Sequence, residues 1–209
     1  MEKINIIKNQ IKNFFAGDSS GHDYWHSLRV YNNAIRLAED TECDKEIVSL
    51  AALLHDVDDA KIYHTENYEN ARRMMKEAGY GNDTVEMVVK IIGEISFRGE
   101  ESIVPESIEG KIVQDADRLD AMGAIGIART FAYGGYKNKE LYNPEILPKT
   151  LIDSGSYLEN DGSSINHFYE KLFKIKDMMN TEKAKEIAEE RDLFMHKFLD
   201  EFMDEWEGI

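Results

Sequence analysis

Apolar residues recur along the chain at the three- and four-residue spacing of amphipathic helices. In the first segment Ile4, Ile7, Ile11 and Phe14 fall on one side, which predicts a helix over about residues 2–15. No segment shows the strict alternation of a half-buried strand flanked by hairpin turns. The pattern therefore predicts an all-α protein.

The same periodicity, read with helix start and stop signals, predicts eight further helices. Their approximate bounds are 23–39, 44–57, 65–78, 82–95, 105–117, 119–132, 164–179 and 181–206. Asp23 and Thr181 are the expected N-caps of two of them, and Pro105 the first turn of a third. Between the predicted helices 119–132 and 164–179, about residues 134–163 form a long segment rich in glycine, proline and tyrosine. Long loops often cover binding sites, so we expect this one near the active site.

The helix over 44–57 differs from the others because it has almost no polar face. Its residues 47–54 are nearly all apolar, which predicts burial all round. It ends in the dipeptide His55-Asp56. An imidazole and a carboxylate inside the protein must be neutralised, and binding a divalent cation is one way to achieve this.

Two other helices supply partners for this dipeptide. His26 precedes Val30 and Ala34 at i+4 and i+8, and Asp117 follows Val113 at i+4, so both side chains should point inward. Taken alone, a histidine on an apolar face is usually a hydrogen-bonded core residue, and a lone aspartate is often a cap or an ion-pair partner. The combination is more specific, because three separate helices each present a ligand type. The predicted metal ligands are therefore His26, His55, Asp56 and Asp117.

Two imidazoles and two carboxylates suit a transition metal better than calcium, which prefers oxygen ligands alone. We expect one divalent ion, manganese first, with cobalt, nickel, iron, zinc or magnesium as alternatives. Such an ion lowers the pKa of a bound water, so that hydroxide is available for attack on phosphorus near neutral pH.

The amino-acid composition argues against several classes of binding partner. The formal net charge is −16, from 41 acidic and 25 basic residues, which argues against binding duplex nucleic acid. No stretch approaches the roughly 20 apolar residues needed to span a bilayer, and the N-terminus lacks a signal-peptide core. Cys43 is the only cysteine, so no internal disulfide can form. These features predict a cytoplasmic protein without a membrane partner.

An acidic chain must hold an anionic substrate with local cations. Lys61, shortly after the dipeptide, is the first candidate for a catalytic phosphate contact. Further substrate-binding candidates are Arg118, Arg129, His167 and Lys171. For the arginines and lysines the alternative is a surface ion pair, and for His167 it is capping and packing of the penultimate helix. Asp58, at i+3 from His55, is the candidate to orient the attacking water or act as general base. The predicted catalytic residues are therefore Asp56, Asp58 and Lys61.

The order His26, His55-Asp56, Asp117 resembles the H…HD…D signature of the HD-domain metal-dependent phosphohydrolases. The similarity is closest to a bacterial subfamily of small stand-alone proteins that includes nucleotide pyrophosphohydrolases. It is carried by GHDYWHSLRV, LAALLHDVDDAKI, KIVQDADRLDAMGAIGIARTFAYGG and NHFYEKLFKIKDMMNT, and spans about residues 20–205. The resemblance implies an all-α HD-domain fold and hydrolysis of a phosphate ester or phosphoanhydride bond.

Two departures from related patterns refine this expectation. HD proteins with a second metal usually supply extra histidines between the dipeptide and the last aspartate, whereas here no histidine lies between His64 and His167. A dinuclear site is therefore disfavoured. HD hydrolases of alarmone nucleotides place an acidic pair soon after the dipeptide. Asp58-Asp59 is similar in type but shifted in identity, which disfavours an alarmone substrate.

The sequence thus predicts a single HD domain over 1–209, with a core at about 20–135 and C-terminal helices at about 164–206 packed on it. The expected function is metal-dependent hydrolysis of a small nucleotide, either as a nucleoside triphosphate pyrophosphohydrolase or as a nucleotide phosphatase. One alternative is a non-catalytic metal-bound nucleotide sensor acting through a partner. Another is a structural protein with a buried ion network. The oligomeric state stays open, a homodimer included.

Overall fold

The computed structural model describes residues 2–17, 23–59, 65–95, 103–149 and 162–209, and within them all regular secondary structure is helical, as predicted. The elements are α1 Glu2–Phe14, α2 Tyr24–Leu37, α3 Lys45–Leu54, α4 Glu69–Glu77, α5 Asn82–Ile95, α6 Ile108–Asp120, α7 Gly123–Tyr136, α8 Asn166–Glu170, a 3₁₀ helix Leu172–Met178, and α9 Glu182–Glu207. Among the helices in these ranges, none combines the length and apolarity that crossing a bilayer requires.

The chain divides into two compact units. Of the described residues, the first unit holds those up to 117 and the second holds those from 118 onward. One domain over 1–209, with the C-terminal helices packed on a core, stays a prediction.

The first unit is built around α3. All residues from Ile47 to Leu54 are buried, which confirms the predicted apolar helix. Asp44 caps it, because its Oδ1 accepts the backbone N–H groups of Glu46 and Ile47. Helices α1, α2 and α5 pack around α3. The C-terminal end of α3 therefore emerges inside a shell of helices.

Two helix starts in this unit differ from the predicted ones. Helix α6 begins at Ile108 rather than at Pro105, because the Ser107 hydroxyl accepts the Gly110 N–H and so provides the cap. Helix α4 begins at Glu69 rather than near residue 65. The residues just before it, Asn67 and Tyr68, have left-handed backbone conformations, which no helix continues.

In the second unit, α7 and α9 pack together. Phe131 of α7 contacts Phe198 and Phe202 of α9, with ring centroids 5.9 and 6.3 Å apart. Phe168 of α8 joins them by stacking on Phe198 at 5.9 Å. Aromatic packing of this kind adds to the area that the rings bury. The second unit thus has an aromatic core of its own.

Helix α7 ends later than the sequence predicts. The pair Gly134-Gly135 was expected to open the long loop, but the helix continues to Tyr136. Gly134 packs closely there, because a Cβ would lie 2.2 Å from the Ser164 hydroxyl. The glycine thus serves close packing rather than termination. Of the predicted loop, residues 150–161 lie outside the described part, and its place near the active site stays a prediction.

Candidate metal centre

His26 lies in the first turn of α2 and is almost fully buried, with 1 % of its surface exposed. Its backbone N–H is donated to Oδ1 of Asp23, the predicted N-cap, over 2.7 Å. This capping bond fixes the start of the helix and the position of His26 within it. The prediction that Asp23 caps α2 is confirmed.

His55 follows directly after α3 and is also buried. Its Nδ1 lies 3.0 Å from the carbonyl oxygen of Ala52. Because a carbonyl only accepts, Nδ1 carries the proton and donates it, and in the neutral ring Nε2 then presents a lone pair. Histidines that bind metals are commonly oriented by a hydrogen bond of this type.

The two imidazoles meet the predicted carboxylates. The Nε2 atoms of His26 and His55 are 3.2 Å apart, and Oδ2 of Asp56 lies 3.3 Å from each of them. Oδ1 of Asp117, at the end of α6, lies 3.5 Å from Nε2 of His26 and 3.7 Å from Nε2 of His55. The structure therefore brings together all four residues of the predicted ligand set.

These separations fit a shared cation. Two atoms bound to one ion at about 2.1–2.2 Å lie roughly 3.0–3.6 Å apart at neighbouring coordination positions. The five nitrogen and oxygen separations run from 3.2 to 3.7 Å and so match this range closely. One ligand atom each from His26, His55 and Asp117 falls within 4.8 Å of the other two. The cluster can thus hold a divalent ion.

The electrostatic surroundings also favour a cation. Burial by itself lowers the pKa of His55, but the charge and hydrogen bond of Asp56, the charge of Asp117 and the Ala52 carbonyl together raise that pKa to about 9. The carboxylates therefore stabilise positive charge at this point. A metal ion is a positive charge that such a donor set accepts in place of a proton.

Asp58 is buried beside these residues, but its contacts are with a helix. Its Oδ1 accepts the backbone N–H of Asn70 over 3.1 Å, and its Oδ2 accepts that of Ala71 over 2.9 Å. Asn70 in turn donates its Nδ2–H to the carbonyl of Val57 over 2.9 Å. These bonds favour a structural role for Asp58, and its predicted action on a water stays a prediction.

The predicted phosphate-binding residues differ in their contacts. Lys61 lies outside the described residues. Arg118 is buried and donates to the carbonyl of Met178, and Arg129 pairs with the buried carboxylate of Asp120 over 2.7 Å. Arg129 thus forms an ion pair, although with a buried carboxylate rather than at the surface, whereas Arg118 bonds to a backbone carbonyl. Their binding of substrate stays a prediction.

His167 and Lys171 lie one helical turn apart, with the Lys171 N–H donated to the His167 carbonyl. Burial, followed by the positive charges of Lys171 and Lys139, lowers the pKa of His167 to about 3. His167 is therefore neutral at physiological pH and lies in a basic environment. A substrate-binding role for this pair stays a prediction.

Sequence reasoning missed three residues around these sites. Asn70 and the Ala52 carbonyl orient the metal-binding segment, and Lys139 faces His167. The Ala52 carbonyl lies three residues before His55, and a contact at this spacing can be anticipated from helical geometry alone. Asn70 and Lys139 act across 12 or more residues of chain, and no local pattern indicates such pairings.

Known proteins share both the sequence and the fold. The HD domain matches residues 24–122. The chain is 39% identical to YpgQ of Bacillus subtilis over 213 residues, covering 100% of this chain and 96% of YpgQ. A solved HD-superfamily hydrolase from Bacillus thuringiensis is 41% identical with a TM-score of 0.79, covering 100% of this chain and 98% of that one.

YpgQ has also been solved in complex with ADP. That structure is 34% identical with a TM-score of 0.80, covering 99% of this chain and 96% of the YpgQ chain. His26, His55, Asp56 and Asp117 all lie within residues 24–122, which the HD domain matches. The chain therefore belongs to the HD-domain superfamily of metal-dependent phosphohydrolases.

Proposed function

We propose that this protein hydrolyses a phosphate ester or phosphoanhydride bond of a small nucleotide with the help of one divalent ion held by His26, His55, Asp56 and Asp117. The observation that carries the proposal is the approach of two imidazole Nε2 atoms and two carboxylates to within 3.2–3.7 Å. Manganese is the ion we expect.

The chain's own groups prepare the site for this chemistry. The Ala52 carbonyl orients the His55 ring, and the Asp23 carboxylate fixes the backbone of His26 at the start of α2, so both Nε2 atoms lie near the carboxylates before any ligand enters. Such preorganisation avoids a reorganisation cost when the ion and substrate bind. When bound, the ion supplies charge neutralisation at a phosphoryl group and lowers the pKa of a nearby water.

Asp117 differs from the other three members because 29% of its side chain is exposed. The buried histidines and Asp56 form the closed side of the centre, and Asp117 lies toward solvent. A substrate phosphate is therefore expected to approach from the Asp117 side. Phosphoryl transfer depends mainly on positioning and charge neutralisation, which a one-sided opening of this kind permits.

The nucleotide is inferred from a relative. YpgQ of Bacillus subtilis, 34% identical in its solved structure, was solved with ADP. We propose that this chain also takes a nucleoside phosphate, releasing either pyrophosphate from a triphosphate or a single phosphate. The net charge of −16 supports a small ligand over duplex nucleic acid.

A product-resolved screen tests the proposal. Nucleoside mono-, di- and triphosphates are incubated with the protein and manganese, cobalt or magnesium, and the released phosphate and pyrophosphate are separated. We expect turnover that requires the ion and is abolished in D56A, with the helical circular dichroism retained. Equal turnover by parent and D56A under excess metal would refute the mechanism.

The same screen separates the alternatives. A non-catalytic sensor should bind nucleotide and ion but release no product. A buried ion network without a metal role should retain no stoichiometric manganese after gel filtration. The variant D56N keeps the shape of the side chain while removing its charge, so it shows whether a loss arises from charge or from packing.

A further inference from the structure

The carboxylate of Asp58 joins the metal-binding turn to the start of α4. Its two oxygens accept the N–H groups of Asn70 and Ala71, and the Asn70 side chain donates back to the carbonyl of Val57. Val57 and Asp58 come directly after Asp56. Three hydrogen bonds thus connect the segment that follows a metal ligand with a helix twelve residues farther along the chain.

Helix α4 depends on this contact because it has no cap of its own. Tyr68 occupies its N-cap position with φ 57° and ψ 47° and offers no side-chain hydrogen bond. The first N–H groups of a helix lack partners inside the helix and need an acceptor from elsewhere. Asp58 supplies that acceptor, and its negative charge suits the positive end of the helix dipole.

The backbone before α4 is held in an unusual conformation. Asn67 and Tyr68 both have positive φ, which costs energy for residues other than glycine. Tyr68 is fixed against α5, where a Cβ on Gly93 would lie 2.7 Å from the tyrosine hydroxyl. The start of α4 is therefore anchored to α5, and Asp58 transmits that fixed position to the metal-binding turn.

We infer that Asp58 is a positioning residue that sets the affinity of the centre for its ion, rather than a group that touches water or substrate. The inference rests on the proposed metal centre. Both Asp58 oxygens face backbone donors of α4, so the carboxylate holds the turn that carries His55 and Asp56. Loss of a group that orients metal ligands typically weakens metal binding by about tenfold to hundredfold.

Asp44 provides a matched control. Its carboxylate accepts two backbone N–H groups at the start of α3, as Asp58 does at the start of α4. Asp44, however, lies at the end of α3 opposite to His55. The variants D44A and D58A therefore each remove a helix cap in the same unit, but only D58A releases the metal-binding turn.

The experiment measures Mn²⁺ binding by calorimetry to full-length protein stripped of metal, at a temperature where every variant is folded. We expect D58A to weaken binding by at least tenfold, D58N by less, and D44A by under twofold, although D44A and D58A should lose similar amounts in Tm. Amide hydrogen exchange gives a second readout. Mn²⁺ should slow exchange at Asn70 and Ala71 in the parent but not in D58A.

The outcomes separate this inference from the proposed function. Parent-like Mn²⁺ affinity in D58A overturns the positioning role, and so does an equal loss of affinity in D44A. Normal ion binding by D58A with a lost acidic limb of the pH–rate profile would instead assign Asp58 as the general base. A parent that binds no Mn²⁺ overturns the proposed centre together with this inference, and its D56A variant would then behave identically.

Discussion

Two histidines, one in each unit, have opposite electrostatic surroundings. His55 lies among the carboxylates of Asp56 and Asp117, which raise its pKa to about 9 against the effect of burial. His167 lies near Lys171 and Lys139, and burial and these charges lower its pKa to about 3. The same side chain is therefore made to attract positive charge in one unit and to remain neutral in the other.

The difference shows that burial alone does not set the pKa of a histidine, because neighbouring charges of opposite sign give opposite outcomes. Burial opposes the charged form at both positions, yet the outcomes differ by several pKa units because the neighbours differ in sign. At His55 the carboxylates make a cation the natural ligand. Near His167 the positive charges of the lysines oppose the binding of a cation. The predicted contact of His167 with an anionic substrate stays a prediction.

The largest expected effect comes from removing carboxylate charge around His55. D56N should weaken Mn²⁺ binding more than about a hundredfold, and D117N less, because Asp56 is closer to both Nε2 atoms and more buried. Calorimetry of metal-stripped protein measures both. H167Q is the control, since it removes a histidine of the second unit, and it should bind Mn²⁺ as the parent does. Equal losses of Mn²⁺ affinity in D56N, D117N and H167Q would contradict the view that the carboxylates around His55 attract the cation.

A smaller effect is expected at Gly134, which packs against Ser164, three residues before His167. In G134A the new Cβ would lie 2.2 Å from the Ser164 hydroxyl, which must rotate away, so the free energy of unfolding should fall by about 1 kcal/mol, the low end of overpacking costs. G135A is a matched control because nothing lies within 4 Å of its Cβ. It should be neutral or stabilise by up to about 1 kcal/mol. Urea unfolding distinguishes the two, and a stabilised G134A would contradict the packing argument.

The limits of sequence-based prediction are visible at these same positions. The helices around His26 and His55 could be predicted because their apolar periodicity and the Asp23 cap are local signals. The approach of the four side chains of the metal centre could be anticipated because His26 and Asp117 follow the apolar spacing of their helices and His55-Asp56 ends the apolar run of α3. That they bind an ion stays a proposal.

Other features depend on contacts between distant parts of the chain. The predicted start of α4 is too early because no local residue marks the true start. The carboxylate that accepts the first N–H groups of α4 belongs to Asp58, in a separate segment before the helix. Helix α7 was predicted to end too early because Gly134 is a packing residue against Ser164, whereas glycine pairs usually indicate a helix end. The lysines around His167 come from two separate segments, so no local pattern indicates its lowered pKa.

The effect of His167 on stability should appear as the pH falls. Its pKa is about 3 in the folded protein and about 6.5 in the unfolded chain, so below about pH 6.5 the unfolded state binds a proton that the folded state does not. The contribution of His167 to stability should therefore decrease from pH 6.5 toward pH 3 and stay constant above pH 6.5. H167Q should flatten this decrease, most clearly between pH 6.5 and 5, before most carboxylates take up protons.

Thermal unfolding of the parent and H167Q across this pH range measures the effect. H196Q is the control because it removes a histidine of the same unit whose side chain is 52% exposed. An unchanged slope in H167Q would mean that His167 is protonated as readily in the folded protein as in the unfolded chain.

The smallest expected effect separates burial from charge at His167. K171M removes the larger of the two lysine contributions and should raise the pKa of His167 from about 3 toward its ordinary value, whereas K139M should raise it less. The imidazole Hε1 resonance, followed by NMR from pH 7 downward, reports the protonation state directly. Both variants should still have a lowered pKa, because burial is the largest cause and neither change exposes the ring. If K171M restored the ordinary pKa in full, charge alone would account for the neutral state. His55 and His167 would then differ only in the sign of their neighbours.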